Sequence, residues 1–172
     1  MLKENINWEK YSNLSIELIL NKTEKLLDES VSSYRETTNK CYAALAVYLG
    51  IIAYCLDKIL SNQTNINCVT YIICLVGSSV SLIFLFDTLI PAKIGFSGCS
   101  PDKLLIEDFE DFDDKLQERY YKETFIEKYD ELIENNFIIV KKRSSKFCNS
   151  IISLVVTFLF CTLWLFYLFF IK

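Results

Sequence analysis

Carboxylates and thiols are the reactive groups that this chain places in any pattern. Glu107, Asp108, Glu110, Asp111, Asp113 and Asp114 fill six of eight consecutive positions. Such a run keeps a helix face solvated, docks a basic partner, or rings a cation path when copies assemble. It has no glycine-centred turn, so it is not an EF-hand loop. Two more acids, Asp57 and Asp87, border long apolar runs. An ionisable group beside hydrocarbon is costly, and that cost makes it a functional candidate. These two are expected at opposite ends of a helical hairpin, too far apart to share a proton as an aspartyl dyad does. Asp57, beside Lys58, reads as an interface anchor, and Asp87 is expected to pair with Lys93 or with Lys40. The seven cysteines match no metal-ribbon spacing. Those in or at the edges of the apolar runs (Cys41, Cys55, Cys68, Cys74, Cys148 and Cys161) read as small apolar fillers.

The composition removes most other chemistry. The chain has no histidine, which excludes Ser-His-Asp and Cys-His nucleophiles, His-ligated zinc and the two-histidine iron site. Its four glycines (50, 77, 95 and 98) fit neither a phosphate-binding loop nor a dinucleotide fingerprint. The expectation is therefore a protein that is not an enzyme, with no cofactor and no metal site. The 172 residues are 52% hydrophobic and 23% charged, so the two characters must occupy different stretches.

They do. Residues 41–56 carry no charge, 66–86 form a second apolar run ended by Pro91, and 147–171 form a third of 25 residues. A bilayer core of about 30 Å takes about 20 helical residues. The second and third runs meet this length, and the first does so when Lys58 snorkels. The predicted fold is an all-α membrane protein with transmembrane helices over 41–60, 66–90 and 147–171. A short outer loop at 61–65 joins the first two. Amphipathic cytoplasmic helices are expected before the first span (1–40) and between the second and third (91–146). Sixteen of the 18 basic residues fall in 1–40 and 92–146. The positive-inside rule then puts the N-terminus in the cytoplasm and the C-terminus outside an inner or plasma membrane. About 40 polar residues precede the first run, which does not suit a signal peptide. The two water-facing stretches sum to −1 and −3, which gives no support to nucleic-acid binding.

Small residues mark contact faces between membrane helices. The first span has Ala43, Ala46, Gly50 and Ala53, with Asp57 four further on. The second has Thr70, Cys74, Gly77 or Ser78, and Ser81. The third has Ser150, Ser153, Thr157, Cys161 and Trp164. Each stripe is expected to pack the three helices together or to form an oligomer seam.

In the water-facing parts, residues 1–12 read as a loosely ordered lead. Ile16, Leu20, Leu27, Val31 and Tyr34 form a helical stripe from about Ser15, and Asn21 with Glu24 offers an alternative restart. Ser100-Pro101-Asp102 reads as the start of an acidic helix over 102–122. Its apolar stripe is Leu105, Phe109, Phe112, Leu116 and Tyr120. Phe109, Phe112 and Leu116 are candidates for docking a protein partner. The stripe slips near Thr124, where a bend or a cap is expected, and Phe125, Tyr129, Leu132, Asn136 and Val140 continue it. With no Gly or Pro beyond, one helix of about 48 residues, roughly 70 Å, can run on through the membrane. Its basic collar, Lys141, Lys142, Arg143 and Lys146, falls at anionic head groups.

The layout resembles a known class. A helix ending in Ser32-Ser33-Tyr34-Arg35 runs into a two-span hairpin with a very short outer loop. This looks like the small helical membrane effectors of bacterial conflict systems, including the two-span SLATT type. Residues 129–136, Lys141-Lys142-Arg143 and a terminal span are similar to small membrane proteins found beside anti-phage modules. The third span departs from the two-span pattern. The resemblance implies a homo-oligomer in the lipid bilayer that, when signalled, assembles and depolarises or breaches the membrane, acting as an effector or small ion channel. It carries over no catalytic residue. A different expectation is an anchor or scaffold that recruits a partner through residues 92–146.

Overall fold

Helix formation begins where a serine can hold the free end. The Ser12 hydroxyl accepts from the Ser15 amide at 3.2 Å, and the Ser12 carbonyl accepts from the Ile16 amide at 3.1 Å. The hydroxyl thereby serves one of the amides that a helix start leaves open. The first helix, α1, therefore spans Asn13–Leu60, starting ahead of the expected Ser15. Helix α2 spans Asn67–Leu89 and α3 spans Asp114–Ile171, and a 3-10 turn at Trp8–Lys10 precedes them. The computed structural model describes residues 6–61, 67–96 and 113–171, which contain no strand. The Ser100 helix start, Phe109, Phe112, most of the acid run and nearly all of the 61–65 loop lie outside the described residues.

Helix α3 is continuous through the place where a bend or cap was expected, and α1 through the place where Asn21 offered an alternative restart. Inside α1, Thr23 bonds back to the Ile19 carbonyl at 2.8 Å, and no new cap forms at Asn21. In α3, the Asp113 carbonyl accepts the first amides, from Leu116 and Gln117, and Asp114 sits where the helix dipole favours an acid. Thr124 is an exposed residue in mid-helix, with the helix unbroken through it and no cap. The spacing of the covered residues explains this. In α3 they fall at Ile126, Tyr129, Ile133, Asn136, Val140, Arg143, Phe147, Ser150, Leu154, Thr157 and Cys161. Steps of three and four alternate, which is the seven-residue repeat of coiled coils. The same stripe extends back to Lys122 and Arg119. Leu116 and Tyr120 lie off it and are exposed, so the apparent slip reflects two apolar surface residues and no change in the helix. In α1 the covered positions are Ile16, Leu20, Thr23, Leu27, Ser30, Tyr34, Thr37, Cys41, Ala44, Tyr48, Ile51 and Cys55, again in alternating steps.

The chain divides into two compact units. The first takes residues 1–35 and 92–140, and the second takes 36–91 and 141–172. The first has a core of Leu27, Tyr129 and Ile133, with Leu20, Phe125 and Leu132 against it. Residues 6–12 are tied to this unit. Trp8 Nε1 donates to Glu127 at 2.9 Å, and Arg119 donates to the carbonyls of Trp8 at 2.6 Å and Tyr11 at 3.3 Å. The expectation of a loose lead does not hold for these residues, because one guanidinium gathers two carbonyls. The second unit centres on Cys41, Tyr48 and Leu85. All three helices are long and apolar enough to cross a membrane. Only 11% of the most apolar window of α1 and of α3, and 17% of that of α2, is buried. The hydrocarbon of these windows faces outward.

Candidate functional site

The second unit is apolar outside, and its interior mixes small polar side chains with the Cys41, Tyr48 and Leu85 cluster. Its buried side chains include Ser78, Ser81, Thr88, Arg143, Ser150 and Thr157, and its exposed ones include Val76, Ile83, Phe86, Ile152, Leu159 and Phe166. Water favours an apolar interior and a polar exterior, and lipid favours apolar side chains outside, with hydroxyls bonded to a neighbouring helix or back to their own.

One node joins all three helices. Ser150 Oγ on α3 lies 2.8 Å from the Ser81 carbonyl of α2 and 2.9 Å from the Tyr48 hydroxyl of α1. Having one proton, it donates to the carbonyl and accepts from Tyr48. Ser81 Oγ in turn donates to the Gly77 carbonyl at 3.0 Å. One turn along α2, the two helices touch closely: a Cβ at Gly77 would collide with the Thr157 side chain. Gly77, Ser81 and Thr157 therefore all lie between α2 and α3, and Ser153 is half-buried beside them.

The small-residue stripe of α1 lies elsewhere. Ala43, Ala46, Gly50 and Ala53 are exposed, and a Cβ at Gly50 would meet nothing within 4 Å. Within the protomer the packing face of α1 is instead Cys41, Ala44, Leu45 and Tyr48. The reason is the Tyr48 hydroxyl, which turns that face toward its hydrogen-bond partner.

The charges sit at the ends of the apolar segments. Asp57 is exposed and 4.0 Å from Lys58, whose ammonium lies 5.6 Å from the centre of the Tyr54 ring. Asp87 pairs with Lys146, so neither Lys93 nor Lys40 is the partner shown. The register of α3 decides this, since it also brings Arg143, buried, to donate to the Thr88 carbonyl. That carbonyl belongs to the last turn of α2, which has no basic residue of its own. A cation there suits the helix dipole. Among the described residues, no carboxylate is buried in this unit.

The first unit holds a different polar device. Asn136 is fully buried on α3. Its amide nitrogen donates to Ser30 Oγ and to the Gly95 carbonyl, both at 2.9 Å, and its oxygen accepts from the Gly95 amide at 2.9 Å. Gly95 is required by the close approach, since a Cβ there would lie 2.6 Å from Leu132 Cδ2. Toward the start of α3, well away from Asn136, Leu116 and Tyr120 line an open cleft of about 610 Å³ with Ile6 and Trp8. At the same end of α3, Lys122 donates to Glu118 at 2.6 Å. This hydrogen bond holds the Glu118 carboxyl below the usual carboxylate range and lifts the Lys122 ammonium above its own.

The sequence reading did not single out Tyr48, and it did not foresee the buried roles of Arg143 and Asn136. A signal for the last two was present: Asn136, Arg143, Ser150 and Thr157 are spaced seven apart, all on one buried line. Comparison with known protein families, curated proteins and solved structures finds no match, so the chain's own residues carry the functional reading.

Proposed function

We propose that this chain is a non-enzymatic integral membrane protein that self-associates and depolarises or breaches the membrane, as an effector or small channel in anti-phage defence. It lies in the inner or plasma membrane with its N-terminus in the cytoplasm and its C-terminus outside. The observation that carries membrane residence is the apolar exterior of the second unit, with only 11–17% of its most apolar windows buried and its hydroxyls turned inward. Self-association is supported by the outward line of Ala43, Ala46, Gly50 and Ala53, a surface on which two helix backbones approach closely. Three helices have few faces with which to enclose water, so a conducting path is built from several copies. Asp57, exposed on the same face of α1, stands at the mouth of such an assembly. The effector role comes from the resemblance in layout.

The test is a membrane-potential dye in cells expressing the chain from an inducible promoter. The native chain is expected to collapse the potential, and Gly50→Leu is expected to preserve it. Gly50 faces open space, so leucine there leaves the protomer intact. Collapse by both chains argues against this seam.

A second reading has its own support. Leu116 and Tyr120 are 55% and 50% exposed beside Trp8, which suits an anchor that recruits a partner through residues 92–146. An unchanged potential, with a partner captured by the native chain and lost in Leu116→Asp, favours that reading.

A further inference from the structure

Three thiols converge where helix packing alone would accept any small side chain. Cys55 of α1, Cys74 of α2 and Cys161 of α3 supply one sulfur from each helix. Cys74 Sγ lies 3.3 Å from Cys161 Sγ. Cys55 interacts electrostatically with the same pair. Cys55 and Cys161 are buried, and Cys74 is half-buried. The described cysteines are all free thiols. Closing a bond brings Cys74 and Cys161 from 3.3 Å to about 2.05 Å, an approach of about 1.2 Å that side-chain rotation supplies.

We propose that Cys74 and Cys161 are a dithiol that a lipid-soluble quinone oxidises to a disulfide between α2 and α3, with Cys55 able to exchange onto Cys74. The oxidation breaks two S–H bonds and forms one S–S bond. Its two electrons and two protons reduce the quinone to the quinol. In the exchange, the Cys55 thiolate attacks Cys74 sulfur, and Cys161 leaves as a thiolate that takes up the proton Cys55 lost. An apolar oxidant is required because the cluster sits within the apolar segments, with exposed Ile72 and Val76 flanking Cys74. The product is a covalent staple in place of a thiol contact. The inference rests on membrane residence but on no effector activity.

The test uses the full chain in phosphatidylcholine vesicles, floated on a density gradient to verify residence. Duroquinone, whose ring is fully substituted, is added without oxygen. The sample is then denatured and alkylated, and its peptides are read by mass spectrometry. The native chain is expected to lose two of its seven alkylatable thiols, with Cys74 linked to Cys161 or to Cys55. Cys161→Ser is expected to yield the Cys55–Cys74 pair, and Cys74→Ser to keep all its remaining thiols free. Seven free thiols in floated vesicles, or a linked pair without Cys74, overturns the proposal. A chain that does not float overturns membrane residence, and the quinone route with it.

Discussion

Ser150 is the residue on which the three-helix node turns, because it alone touches both other helices there. Removing its hydroxyl leaves the Tyr48 hydroxyl buried and without an acceptor. A buried orphan costs more than the hydrogen bond was worth, so Ser150→Ala is predicted to destabilise the folded chain by about 1 kcal/mol in a membrane setting. Adding Tyr48→Phe removes the orphan and is expected to recover part of the loss. Thermal unfolding in detergent, followed by circular dichroism, measures both. A double variant less stable than Ser150→Ala by the full cost of Tyr48→Phe shows no coupling and removes the node as a unit. Asn136 is the counterpart in the first unit, with three hydrogen bonds. Asn136→Ala is predicted to cost about 3 kcal/mol, at about 1 kcal/mol for each bond lost. Limited proteolysis is expected to cut near Gly95 first. An unchanged cleavage pattern would show that Asn136 does not hold that segment.

At the scale of the helix, two glycines have opposite surroundings. Gly77 faces Thr157 across a contact with no room for a methyl group, and Gly50 faces open space. Gly77→Ala is therefore predicted to wedge α2 from α3 at a cost of about 1–3 kcal/mol, as overpacking does. Gly50→Ala is predicted to leave the unfolding temperature within about 2 °C. Equal losses at both sites would contradict the assignment of faces. The three apolar runs and the small stripes of the second and third spans were legible in the sequence, because length and residue size are local properties. The face of α1 was not. Ala43, Ala46, Gly50 and Ala53 repeat with the same steps as the true contact positions, two residues out of phase. Only the partner of Tyr48 decides between the phases, and that partner is about 100 residues away in the chain. The same cause misplaced the expected break at Thr124: an apolar stripe was followed through Leu116 and Tyr120, where the buried line carries Arg119 and Lys122. Polar residues on a buried line look like surface until their partners are known.

For the molecule as a whole, charge and packing point to one arrangement across the bilayer. Six basic residues lie in 1–40 and ten in 92–146, against one after each remaining apolar end, Lys58 and Lys172. Basic residues resist translocation, so the proposed orientation keeps the rich segments cytoplasmic. Packing agrees with this placement: Lys146 pairs with Asp87, and Arg143 reaches the last turn of α2, so the end of α2 and the start of the third apolar run share one level. With three crossings, the proposed orientation puts the two chain ends on opposite sides. A periplasm-active reporter fused after Lys172 is predicted to be active, and the same reporter inserted after Pro101 is predicted to be silent. Lys58→Ala, which removes one of the two outer charges, is expected to leave the pattern unchanged. Lys141→Glu, Lys142→Glu and Lys146→Glu together strip the collar while sparing Arg143, and they are predicted to yield a mixture of orientations. A silent reporter after Lys172 in the native chain would mean that the third run does not cross. The exposed hydrocarbon of Phe158, Leu159, Leu163 and Phe166 would then need a protein cover in place of lipid.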